Sequence, residues 1–350
     1  MDKYSLEKII SVTKDRKPDF NNLLSVLKKE TPSRPTLFEF FLNDPLEEKL
    51  AMWEGDIKTE EERLLCKIKA FRNAGYDYTT IHVSNFNFER NSNHCEGKAS
   101  ISANEGFIIY DRDSYDAYNW ADPKDFYDQR FEKLEKHLPD GMKFIICGPC
   151  GVLENTINLI GFNNLCFMLA DDPELVEMVV DNIGQRLLDY YAQVVNYDCI
   201  GAVIANDDWG FNTQTMLSTS DMRKYIFKWH KKIAELVHNA GKPVILHSCG
   251  NLTKVFDDII YDIKFDGKHS YEDNISPVED MYDIYKDKIA VLGGIDMDYV
   301  CRNSQDDIYN RSKNMILKTG CKGYALGTGN SVPYYLPDEN YMAMISAVLF

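Results

Sequence analysis

The chain has no glycine-rich phosphate turn. Neither GxGxxG nor GxxxxGK[ST] occurs anywhere in its 350 residues, so the phosphate cradle of an open nucleotide-binding sheet is missing. Positive charge is short as well. The 39 lysines and arginines face 55 aspartates and glutamates, a formal net charge of −16. A surface of that sign repels phosphate backbones and anionic lipid, which excludes nucleic acid and membranes as expected partners. No apolar run reaches the roughly 20 residues of a membrane span. The opening MDKYSLEKII lacks a signal-peptide core, so a cytoplasmic location is expected. There is no low-complexity tract and no Pro/Ser linker, and residues 1–350 are expected to form one domain. The nine cysteines are odd in number and follow no disulfide rhythm. Free thiols are the default, and any special ones should be ligands or nucleophiles.

What the chain does have is a repeat. Eight β-rich runs end in small or polar residues: RPTLFEFF (34–41), YDYTTIHVS (76–84), KFIICGPCG (143–151), CIGAVIANDDWG (199–210), KPVILHSCGN (242–251), FDGKHSYE (265–272), IAVLGGIDM (289–297) and GYALGTGNS (323–331). Between them lie stretches with apolar residues three and four apart, such as 61–75, 173–195 and 220–241, the last with Ser220 and Asp221 as an expected N-cap. Nearly continuous apolar strands suit a parallel sheet covered on both faces. Eight strands alternating with helices predict a (β/α)8 barrel of the TIM type, an α/β fold. Residues 1–33 read as an N-terminal helical segment. Residues 85–119 form a polar and aromatic insertion after the second strand, long enough to be a lid.

In such a barrel the chemistry sits at the C-terminal strand ends. There the sequence places Glu39, His82, Cys147 and Cys150, Glu154, Asp207, Asp208 and Trp209, His247 and Cys249, His269 and Glu272, Asp296, and Asn330. His247 and Cys249 are two apart, so on a strand they share a face. An imidazole and a thiolate side by side suit an open, catalytic zinc site. The bland alternative is a hydrogen-bonded histidine beside a buried thiol. A third ligand would come from His269, Glu272 or Asp208. CGPC (147–150) has redox spacing but no thioredoxin-like context, and incidental thiols are the better reading. Asp208 and Glu154 are expected to position substrate or move a proton, against a null of loop caps. Glu39, His82, Asp207, Trp209, Asp296, Asn330 and Tyr334 are expected to line the substrate pocket, with helix capping the alternative for Asp296.

NDDWGFNTQTMLS (206–218), GKPVILHSCGNL (241–252), AVLGGIDMDYV (290–300) and GYALGTGNSVPYYLPDENYMAMI (323–345) occur in an order and spacing that resembles the uroporphyrinogen decarboxylase superfamily over roughly residues 34–349. That superfamily contains porphyrinogen decarboxylases and corrinoid-dependent zinc methyltransferases, on a barrel fold. The decarboxylase branch carries an arginine-bearing stretch at the first strand. Here it reads LFEFFLND (37–44), with Glu39 and no arginine, a poor grip for a polycarboxylate. The methyltransferase branch has an HxC zinc pair on the fifth strand, matched by His247 and Cys249, and a third cysteine ligand after the eighth, where this chain has Asn330.

The resemblance therefore implies a zinc-dependent methyltransferase working with a methylated corrinoid (cobalamin) on a small partner protein and a small-molecule substrate, with a homodimer also expected. Two other readings stay open. One is a metal-free decarboxylase acting on a tetrapyrrole or another carboxylated molecule. The other is a barrel that binds a corrinoid or tetrapyrrole without turning it over.

Overall fold

The computed structural model describes residues 3–90 and 104–350. Among them seven strands form one parallel sheet: β1 (Tyr78–His82), β2 (Lys143–Cys147), β3 (Ile200–Asn206), β4 (Val244–His247), β5 (Gly267–His269), β6 (Ala290–Leu292) and β7 (Tyr324–Ala325). Their spatial order is their chain order. A doubly wound sheet reverses its order partway, whereas a TIM-barrel-like sheet does not. The architecture is α/β and TIM-barrel-like.

The second to eighth expected runs are β1 to β7. The first, 34–41, forms no strand. It makes one parallel bridge, Leu37 to Leu326, in which Phe38 N–H donates to the Leu326 carbonyl at 2.7 Å and Leu326 N–H to the Thr36 carbonyl at 3.0 Å. Two features keep it short. Pro35 has no N–H to give. On the β1 side the Tyr78 hydroxyl occupies both the N–H and the carbonyl of Glu39, at 2.7 Å each. A side chain thus fills the place a strand ladder would take.

Alternation along the strands divides the core. Ile145, Cys147, Ala202, Ile204 and Ile245 join the cluster inside the curl of the sheet. Phe144, Ile146, Val203, Ala205, Val244 and Leu246 join the cluster under the helices. This is the period of two acting on strands buried on both faces. Each buried branched side chain contributes on the order of 1.5–3 kcal/mol. His82, Asn206, His247 and His269 continue the inward series at the strand ends, so the register delivers polar groups to one mouth.

Most helices start and stop as their sequences direct. Thr59 and Glu62 form a capping box on Glu60–Ala74, and Gly75 ends it at φ +93°. The N-terminal segment forms Leu6–Thr13 and Asn21–Leu27. The expected helix 220–241 differs in two ways. Its N-cap is Ser218, which accepts from Asp221 N–H at 3.1 Å, not Ser220. It also contains a π turn, Met222–Phe227, before Lys228–Asn239. Of the insertion, 104–119 carries a short helix, Arg112–Ala117, while 91–103 lies outside the described residues. No described helix is long and apolar enough to cross a membrane.

Candidate metal centre and active-site cavity

A cavity of about 1520 Å³ opens at the C-terminal strand ends. Its walls include Thr80, His82, Cys147, Asn206, His247 and Cys249 from the inward series, with Glu154, Asp208, Glu272, Asp296 and Asn330 from the following loops.

Asp208, His247 and Cys249 bring a carboxylate oxygen, an imidazole nitrogen and a sulfur within 4.8 Å of one another. Sheet register explains this. Asn206 pairs with His247, so two residues further Asp208 stands beside Cys249, and Cys249 N–H donates to Asp208 Oδ1 at 2.8 Å. Gly250, at φ +85°, lets the β4 loop turn against Gly210, where a Cβ would lie 2.1 Å from the Gly210 oxygen.

Hydrogen bonds fix which nitrogen His247 presents. The Thr328 carbonyl can only accept, so His269 Nε2, 3.3 Å away, carries a proton. Buried and neutral, His269 then has a lone pair on Nδ1. His247 Nδ1–H donates to it at 2.8 Å. The lone pair of His247 is left on Nε2. Burial, more than charge, holds both rings neutral, pushing His269 down to about 3 and His247 well below its ordinary value. This is how proteins commonly orient a ligating histidine. His269 has both nitrogens engaged and supports His247. Glu272 is engaged as well, accepting from Gly250 N–H at 3.2 Å.

The Cys249 sulfur accepts from Asn330 Nδ2 at 3.2 Å and from Ser270 Oγ at 3.5 Å. Both bonds favour a thiolate, yet burial and then Asp208 push the thiol up to about 12. A carboxylate, an imidazole lone pair and a sulfur under two donors relieve their mutual repulsion only around a cation. One oxygen, one nitrogen and one sulfur are a donor set that zinc accepts. The residues therefore fit the metal.

Adjacent aspartates part company at the end of β3. Asp208 faces the cavity. Asp207 is fully buried on the other side, where it accepts from Leu153 N–H and Glu154 N–H at 2.9 Å each and pairs with His230 Nε2 at 2.8 Å. Asp207 thus caps the helix Val152–Ile160 from another strand. Gly151 permits the approach: a Cβ there would meet the Asp207 side chain at 2.1 Å. Glu154, carried by that helix, does line the cavity. Its carboxyl is raised by burial first and then by Asp207 and Asp208.

Several expected pocket residues lie elsewhere. Asp207 is a cap, and Trp209 is buried against Phe227 and His230, at centroid distances of 4.8 and 4.9 Å. Glu39 is buried below the cavity, within 2.7 Å of Thr328 N and Oγ1. Thr328 Oγ1 has a single hydrogen and also bonds the Asn330 carbonyl, which can only accept. That hydrogen goes to Asn330, so Glu39 must bring its own proton to Thr328. Burial agrees, pushing Glu39 up to about 8. Tyr334 is exposed and its neighbour Tyr335 lines the cavity. Asp296 lines the cavity while capping Tyr299 N–H at 2.9 Å. His82 lies there too, 3.7 Å from Cys147 Sγ. The eight described cysteines are free thiols. Lys67 also faces the cavity, on the amphipathic helix Glu60–Ala74, where nothing in the sequence distinguishes it from a solvated lysine.

Comparison with known proteins accords with this geometry. No curated protein gives a match. Among solved structures, a methyltransferase from Methanosarcina mazei superposes with a TM-score of 0.68 at 14% identity, covering 93% of this chain and 96% of its own. A Listeria monocytogenes protein described as a vitamin-B12-independent methionine synthase reaches a TM-score of 0.41 at 11% identity, covering 96% of this chain and 98% of its own. The latter supports no argument, and the former establishes the fold. The family model for uroporphyrinogen decarboxylase (URO-D) matches residues 136–349, a span holding β2 to β7 and all three candidate ligands. The chain belongs to the uroporphyrinogen decarboxylase family.

Proposed function

We propose that the chain is a zinc-dependent methyltransferase that moves a methyl group between a corrinoid carried by a small partner protein and a small-molecule substrate. The observation that carries this is the convergence of Asp208, His247 and Cys249 at the cavity mouth. The fold shared with the Methanosarcina mazei methyltransferase supports it. Asp208 takes the third ligand position that Asn330 cannot fill as a cysteine would. Zinc there would supply the Lewis acidity that makes a substrate thiol nucleophilic at neutral pH.

The chain's own residues supply the rest. His269 fixes the His247 tautomer, and Asn330 and Ser270 hold the Cys249 sulfur. Glu154, on the cavity wall beside Asp208, is the carboxyl placed to exchange a proton with the substrate. We read the 36–38 segment, bridged to the end of β7, as the eighth stave of a (β/α)8 barrel.

The family's name favours a second reading, decarboxylation of a tetrapyrrole, and the cavity is large enough to admit one. Its walls argue against that substrate. Asp44, Glu154, Asp208, Glu272, Asp273, Asp296 and Asp298 line it against Lys67 and Arg302. Lys67 lies 3.6 Å from Glu47, and Arg302 is paired with Asp298. A polycarboxylate would meet net repulsion.

Metal analysis and methyl transfer from methylcobalamin to a panel of thiols test the proposal. It expects one zinc per chain, lost in Cys249→Ala, with turnover of at least one thiol. A folded chain that holds no metal and releases carbon dioxide from a porphyrinogen would establish the second reading instead. Tight tetrapyrrole binding without turnover would indicate a carrier.

A further inference from the structure

Lys268 is an ammonium buried where the sheet meets the helix layer. It is 3% exposed and points out of β5, opposite to the inward His269. It does not line the active-site cavity, only a void of about 30 Å³ behind Tyr271. It therefore cannot touch a substrate in the cavity. It forms no ion pair among the described residues. Its nitrogen sits 4.3 Å from the centroid of the Tyr271 ring and donates to the Ser270 carbonyl. Burial lowers it to about 8, so the fold retains this charge at a cost.

Ser270 is unusual too. Its φ is +84°, a left-handed conformation that side chains other than glycine avoid. From it the Ser270 hydroxyl reaches the Cys249 sulfur at 3.5 Å. Strain of this kind persists only where the surroundings impose it. On one side Tyr271 N–H is tied to the Gly329 carbonyl at 2.9 Å, and on the other Ser270 follows the end of β5. The Ser270 carbonyl between them is gripped by Lys268.

We propose that Lys268 is a positioning residue for Cys249: its ammonium holds the Ser270 carbonyl, fixes Ser270 in the left-handed conformation, and so aims the Ser270 hydroxyl at the Cys249 sulfur. The relay rests on the metal reading, in which that sulfur is a thiolate ligand. A hydrogen bond to a ligating thiolate withdraws electron density from it and tunes the bound metal.

Cobalt(II) replaces zinc and reports on its thiolate through a sulfur-to-cobalt absorption band. The test uses the full-length chain loaded with cobalt, and dye competition for affinity. Ser270→Gly suits φ +84° and keeps the backbone while deleting the hydroxyl. It should move the band to longer wavelength and weaken cobalt binding about tenfold. Lys268→Met should move the band the same way, and the double variant no further than Ser270→Gly alone. A purely structural lysine would lower the melting temperature and leave the band in place, which overturns the proposal. Shifts that sum in the double variant overturn it as well, because Lys268 would then act independently of Ser270. If Lys268→Met does not fold, Ser270→Gly decides: an unmoved band overturns the relay, and a shifted one upholds its final link. A wild-type chain that takes up no cobalt overturns the metal reading and the relay with it. A wild-type chain that binds cobalt while the variants keep its band overturns the relay alone.

Discussion

His247 and His269 meet Nδ1 to Nδ1 at 2.8 Å, and one proton serves both. The Thr328 carbonyl decides which ring carries it, from the far side of His269. Replacing His269 with phenylalanine removes no ligand but leaves His247 Nδ1–H without an acceptor and frees the tautomer. Zinc affinity should fall about 10- to 100-fold, measured by competition with a chelating dye. His269→Asn, which can still accept, should lose less.

The two aspartates after β3 should separate cleanly. Asp208→Asn should abolish stoichiometric zinc while shifting the thermal midpoint by only a few degrees. Asp207→Ala removes a cap from two helix N–H groups and strands His230 in the interior. It should cost about 2–4 kcal/mol in urea unfolding. Equal stability losses in the two variants would contradict this division.

Glu39 predicts a pH dependence. Its folded value is raised from 4.5 to about 8 by burial, so folding favours the protonated acid. Its contribution is complete below about pH 4.5 and is lost as pH rises toward 8, with a slope of at most about 1.4 kcal/mol per pH unit. Glu39→Gln should flatten that slope. The check is the difference between wild-type and variant urea stability across pH 5 to 8, which should shrink in the wild type's disfavour as pH rises.

Metal removal should spare the fold. The two apolar clusters on either side of the sheet contain no ligand from the site, unlike a zinc finger whose core is the metal. Chelation should leave the far-ultraviolet circular dichroism unchanged and lower the melting temperature by a few degrees, restored by added zinc.

The sequence made the sheet legible because parallel strands buried on both faces read as apolar runs, as at 143–147 and 200–206. The run at 34–41 has the same composition but not the partner: a tyrosine hydroxyl stands where its ladder would be. His247 and Cys249 were legible from spacing, since period two is a property of the strand. The choice among Asp208, His269 and Glu272 was not, because it depends on which of them already has a hydrogen-bond partner. The expectation that Asp207 binds substrate failed for a related reason. Neighbours in sequence face opposite sides of a strand, and only the contacts of His230 and Leu153 reveal which side is occupied. Lys268 and Ser270 carry no sequence signal, since neither burial nor a positive φ is written in residue type.

The neutral Glu39 has a consequence for assembly order. It joins the segment before the first strand to the loop after the last, 289 positions away, and the same loop carries Asn330 to the Cys249 sulfur. Contacts that distant in sequence pay their loop entropy late in folding. A nascent or partly unravelled chain can therefore display His247 and Cys249 but not the amide that steadies the thiolate. The pocket becomes fully dressed for metal only after the two ends of the molecule have found each other, which makes tight cation uptake a readout of completed closure.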